Sequence, residues 1–158
     1  MKPKVLIVIG SDSDLPVMEE TGKVLKELGI PYMLVVASAH RNPERTRKLA
    51  TEAEEKGIEV VIAGAGMAAH LAGVLASHTL LPVIGVPLDS SSLHGLDSLL
   101  STVQMPAGVP VATMAIGRAG AKNAAIFSAQ ILSRKDSRVA MRLKEYKRKI
   151  SGEVKAKA

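Results

Sequence analysis

The hydrophobic positions fall into short unbroken runs, each followed by a stretch with helical spacing. Residues 4–10, 32–37, 58–63 and 82–86 read as strands, the last bounded by Pro82 and Pro87. Between the first two, residues 14–28 carry Leu15, Met18, Leu25 and Leu28 at helical intervals, with Val24 beside them, Gly22 on the same face as a close-packing point, and Gly29 as a C-cap. A second helix is predicted over 43–56, opening at Pro43 and stopping at Gly57, and a small-residue helix over 67–77. Residues 88–108 are Ser-rich and loop-like, with a short helix at 96–103. A fifth strand at 110–116 and an Ala-rich buried helix at 119–133 follow. The strands are apolar throughout instead of alternating. With intervening helices, that pattern predicts a parallel sheet covered on both faces, in one α/β domain spanning 1–158.

The last segment, 136–155, places Val139, Leu143, Tyr146, Ile150 and Val154 on one face of a basic amphipathic helix. No later strand follows it, so the expectation is that it packs outside the core, on a neighbouring subunit. Residues 134–158 hold ten Lys or Arg against three acids, while the whole chain nets +6. The excess therefore belongs to this one segment, and the body is near neutral. With one Phe, two Tyr and no Trp, there is no aromatic platform for bases, so the segment reads as a solvated helix face and no nucleic-acid partner is expected. There is no cysteine, which excludes disulfides and thiolate metal sites. The run after MKPK is too short for a signal-peptide core or a membrane span. The chain reads as cytoplasmic, without a membrane partner.

Three polar or small-residue clusters stand at three successive strand ends, which points to one composite site. GSDSD at 10–14 opens a helix, and its backbone N–H groups with the Ser11 and Ser13 hydroxyls suit a phosphate. Asp14 suits sugar hydroxyls, since a carboxylate repels phosphate. An ordinary Ser/Asp helix cap accounts equally well for the motif taken alone. SAHR at 38–41 offers a hydroxyl, an imidazole and a guanidinium. Arg41 can clamp an anion bidentately, and His40 can exchange a proton near neutral pH. GAGMAAHLAG at 64–73 lets a ligand approach the backbone beside His70. A core histidine bonded to a carbonyl is the competing account of His70. His78 reads as a helix-end cap, His94 carries no assigned role, and Asn123 reads as structural. The four histidines lack metal-ligand spacing, so no metal is expected.

In order along residues 4–150, GSDSD, SAHR, AGAGMAAHLAG, PVIGVP, DSLLSTVQMPAGVPVAT, AIGRAGAKNAA and SAQIL resemble the N5-carboxyaminoimidazole ribonucleotide mutase family of purine biosynthesis. That resemblance implies a three-layer α/β/α, flavodoxin-like domain with an extra C-terminal helix, assembled as a homo-octamer. It implies movement of a carboxylate from an exocyclic nitrogen to C4 of an aminoimidazole ring in a closed pocket, without metal or cofactor. One imidazole suffices for this, giving a proton at nitrogen and taking one at carbon. By the same resemblance His40 is the catalytic imidazole, Ser11 and Asp14 bind substrate, and Ser38 and Arg41 contact the phosphate. Gly66, His70 and Leu71 belong to the pocket that holds carbon dioxide and the carboxylate. The family usually reads GAGGAAHLPG, so Met67 and Ala72 are departures. A related carboxylase branch takes free carbon dioxide and tends to carry Lys in place of Arg41. That branch is the alternative reading; a non-catalytic nucleotide-binding regulator is a more distant one.

Overall fold

The computed structural model describes residues 2–156, with side-chain burial described for 2–152. Five parallel strands, β1 (Val5–Ile9), β2 (Tyr32–Val36), β3 (Val60–Gly66), β4 (Val83–Leu88) and β5 (Ala112–Thr113), pair in the order β2-β1-β3-β4-β5. This is the flavodoxin-like arrangement. The helices are α1 (Leu15–Glu27), α2 (Pro43–Thr51), α3 (Leu71–Ala76), α4 (Leu96–Val103), α5 (Arg118–Leu132) and α6 (Ser137–Ala156). All five residues of β1 are buried, and its side chains alternate between two cores. Val5, Ile7 and Ile9 join α1, α5 and α6 on one face. Leu6 and Val8 join residues of α2 and α3 on the other. Continuous apolar runs are the sequence form of a strand covered on both sides. The edge strand β2 departs from the rule: Tyr32 is exposed and the rest of the strand is half-buried.

Around the carboxyl ends of the strands, four elements depart from the sequence expectation. β3 runs to Gly66 and is not finished at 63, because its pairing continues from Ala65 to Pro87 and from Gly66 to Leu88. The glycines there are needed for close packing. A Cβ on Gly64 would lie 2.6 Å from Met18 Sδ, and one on Gly66 would overlap Ser90 Oγ. Consequently α3 starts at Leu71 rather than 67, with His70 as its N-cap. Pro87 lies inside β4 instead of beyond its end. Its missing N–H is tolerated because β5 pairs only with Ile84 and Gly85, and the Pro87 carbonyl instead accepts from the Gly117 N–H at 2.9 Å. For the same reason strand 110–116 shrinks to Ala112–Thr113.

The α6 stripe is covered in part by earlier elements of its own chain. Val139 and Leu143 are buried with Val24, Leu28 and Leu132, and Tyr146 packs against the same cluster. Arg142 Nη1 donates to the Leu28 carbonyl at 3.3 Å, and Lys149 pairs with Glu27. A cation on the last carbonyls of α1 is favourable electrostatically. Ile150 stays exposed, and the side chain of Val154 lies outside the described residues. Among the described residues no helix is long and apolar enough to cross a membrane.

Candidate functional site

The crossover after β1 runs to β2 on one side, and the crossover after β3 runs to β4 on the other. In such sheets ligands bind at the carboxyl ends of the strands, where the direction reverses. A cleft of about 500 Å³ lies there. It is lined by the eight residues that the family resemblance assigned to the site, Ser11, Asp14, Ser38, His40, Arg41, Gly66, His70 and Leu71, and by Ser13. His78, His94 and Asn123 are not part of it. Met67 and Ser90 also line it. Ser90 was missed, although it follows the end of β4 just as the other motifs follow their strands.

The β1 end is a capping box. Ser11 Oγ accepts from the Ser13 N–H at 3.4 Å, and the Ser11 N–H donates to Asp14 Oδ2 at 3.0 Å. GSDSD is thus a helix cap that also faces the cleft. Asp14 is only 6% exposed, and Asp12 is exposed. Burial pushes the Asp14 carboxyl above its ordinary value, while the Ser11 N–H and the nearby Arg41 charge pull it down. A carboxyl raised by folding contributes most to stability below the unfolded pKa, and loses that contribution as pH climbs through the folded value. Asp14→Asn removes the ionisable group but retains an acceptor for Ser11. Its melting temperature relative to the parent is therefore expected to be higher at pH 7 than at pH 3.5. An offset independent of pH would contradict the burial argument.

At the β2 end the Arg41 N–H donates to Ser38 Oγ at 3.2 Å. The Arg41 side chain reaches across to β1, where Nη2 donates to the Gly10 carbonyl at 3.1 Å. That bond fixes one corner of the guanidinium and leaves its other N–H groups for an anion. At the β3 end the Ala69 N–H donates to Ser101 Oγ of α4 at 3.0 Å, tying residues 67–70 down.

Two histidines from different strand ends meet in the cleft. His40 Nε2 lies 2.8 Å from His70 Nδ1, and the rings cross at 75° with centroids 4.8 Å apart. His70 Nδ1 is also 3.1 Å from the Ala68 carbonyl, which can only accept. With a proton on His70 Nδ1, that atom donates to the carbonyl and to a bare His40 Nε2. With a proton on His40 Nε2, His40 donates instead and His70 holds its proton on Nε2. His70 is thus a partner for His40 in either protonation state. The sequence reading placed His70 in a pocket wall and contained no such contact. Nor is His70 a core histidine: its ring is exposed.

A second cavity, about 530 Å³, lies at the opposite end of the sheet beside Lys2, Ile30 and Val139. Its charges are largely engaged: Lys4 and Lys135 pair with Glu59, and Arg138 pairs with Asp136. None of the three strand-end motifs reaches it.

Residues 4–153 match the family model described as AIR carboxylase. The chain is 55% identical over 157 residues to the N5-carboxyaminoimidazole ribonucleotide mutase of Pyrococcus horikoshii, covering 99% of this chain and 88% of that one. It is 57% identical over 156 residues to the mutase of Thermotoga maritima, covering 99% and 90%. The Escherichia coli K12 mutase is 48% identical over 151 residues, covering 96% and 89%. Among solved structures, Treponema denticola PurE superposes with a TM-score of 0.86 at 30% identity, covering 96% of this chain and 94% of that one. By sequence along almost its whole length and by fold, this chain belongs to the AIR carboxylase family.

Proposed function

We propose that this enzyme converts N5-carboxyaminoimidazole ribonucleotide to 4-carboxy-5-aminoimidazole ribonucleotide in de novo purine biosynthesis. The observation that carries the mechanism is the His40–His70 pair in a cleft whose other walls present anion donors. Ser11, Ser38 and Arg41 hold the phosphate, and Asp14 accepts from the ribose hydroxyls. Gly66 and Leu71 shape the wall against the ring. Anchoring at these strand ends fixes the base relative to His40, converting binding into orientation.

The carbamate loses carbon dioxide when its nitrogen gains a proton, which His40 supplies. The amine lone pair then pushes electron density through the ring, and C4 attacks carbon dioxide. The new carbon–carbon bond leaves C4 tetrahedral and still bearing its hydrogen. His40, now neutral, removes that proton and the ring regains aromaticity. One proton is given and one taken, so His40 ends as it began.

The test follows a labelled carboxylate on the nucleotide in a pool of unlabelled bicarbonate. Direct transfer keeps the label in the product. Full loss of label would instead assign a carboxylase acting on aminoimidazole ribonucleotide and dissolved carbon dioxide. The chain works as a cytoplasmic homo-oligomer, most simply an octamer, with α6 contributing Met141 and Ile150 to contacts between subunits. Leu96, Leu100 and Val103 along α4, with Leu93 before it, form a further exposed apolar stripe that supports assembly. Light scattering on the purified protein measures that mass directly, and a monomer would overturn the assembly.

A further inference from the structure

Met67 is unfavourable in the polypeptide by itself on two counts. Its φ is +54°, in the left-handed region that side chains other than glycine seldom occupy. Its thioether side chain is also 60% exposed, leaving apolar surface in water. Neither feature helps the chain fold. The backbone conformation is nevertheless held in place, since Ser101 Oγ accepts from the Ala69 N–H and donates to the Met67 carbonyl at 3.4 Å. The residue lines the cleft, two positions beyond Ala65 and three before His70. Strain held at a functional cleft calls for a role in the bound state.

We infer that Met67 is a positioning residue: its flexible side chain covers the bound aminoimidazole ring and keeps released carbon dioxide over C4 and water out. The inference rests on the mutase reading above. Between breaking the carbon–nitrogen bond and forming the carbon–carbon bond, carbon dioxide is held by no covalent bond. The polar walls at Ser11, Ser38 and Arg41 offer this apolar molecule nothing. Retention falls to the Ala65–Ala68 side, where Met67 is the largest apolar side chain. An unbranched thioether with three rotatable bonds can lie over ligands of changing shape, which a β-branched residue in this backbone could not.

The experiment measures how each turnover divides between carboxylated product and escaped carbon dioxide plus aminoimidazole ribonucleotide, using labelled nucleotide. Met67→Gly removes the cover and relieves the backbone, so it folds at least as well as the parent. Met67→Ala removes the cover and keeps the left-handed φ. Met67→Leu keeps both bulk and φ. Escape per turnover is expected to rise by about five- to tenfold in the Gly and Ala variants, the rate equivalent of a modest barrier change. The Leu variant should stay near the parent, and KM should move little in all three. Unchanged partitioning in both Gly and Ala variants, beside a parent that retains label, would overturn the role of Met67. A parent that retains no label would overturn the mutase reading beneath it.

Discussion

His40→Asn is expected to lower turnover by about 10²–10⁴-fold while nucleotide binding survives, the usual scale for losing a positioned general acid–base. Asparagine keeps a polar group facing His70 but cannot exchange a proton. Both demanding events, proton delivery to the exocyclic nitrogen and removal from C4, would then fall to water. The neighbouring His70 does not take its place, because its Nδ1 lies against the Ala68 carbonyl. The substitution removes none of the phosphate donors or Asp14, so product affinity measured by calorimetry should change little. Turnover close to that of the parent would remove His40 from the mechanism. Loss of affinity in proportion to the lost turnover would mean that the imidazole binds instead of moving protons.

Much of the fold was legible because the strands are written in β-branched and aliphatic runs. Val5–Ile9 and Val60–Ile62 could be nothing but buried, and the strand–helix alternation dictated parallel pairing. What was not legible has a common cause. Residues 64–70 are Gly, Ala, Met and His, which carry no hydrophobic period, so the end of β3 and the start of α3 depended on what packs against them. Met18 over Gly64 and Ser90 beside Gly66 are contacts across the fold, invisible along the chain. The same is true of α6. Its stripe read as unpartnered because no element follows it, yet Val139 and Leu143 turn back onto α1 and α5.

The site divides in the same way. Its members were legible one motif at a time, because each follows a strand end. Their mutual geometry was not. His40 and His70 are thirty residues apart, and the ends that carry them both flank β1 only because the order is β2-β1-β3. The reach of Arg41 to the Gly10 carbonyl likewise needs β2 beside β1. Ser90 fell in a stretch whose serine content masked its position just after β4.

Arg41→Ala is expected to raise KM by about 10²–10³-fold, the scale of removing one partner from a desolvated charge pair, with a smaller effect on kcat. Arg41→Lys keeps the charge but loses the planar fork. It should recover only part of the affinity, leaving KM roughly tenfold above the parent. The Gly10 carbonyl makes the distinction sharper. In the parent one corner of the guanidinium is spent on that carbonyl, so the remaining N–H groups are aimed before substrate arrives. An ammonium on a four-carbon stem has no such rigid frame. A second readout separates this role from simple loss of structure. The Arg41 charge pulls the Asp14 carboxyl down against the upward push of burial. Without it the Asp14 pKa rises, and the carboxylate that accepts from the ribose is lost at a higher pH on acidification. The acid limb of the kcat/KM profile should therefore move to higher pH in Arg41→Ala and stay near the parent position in Arg41→Lys. A KM unchanged in both variants would show that the phosphate is held elsewhere. An acid limb that does not move in Arg41→Ala would disconnect Asp14 from substrate binding.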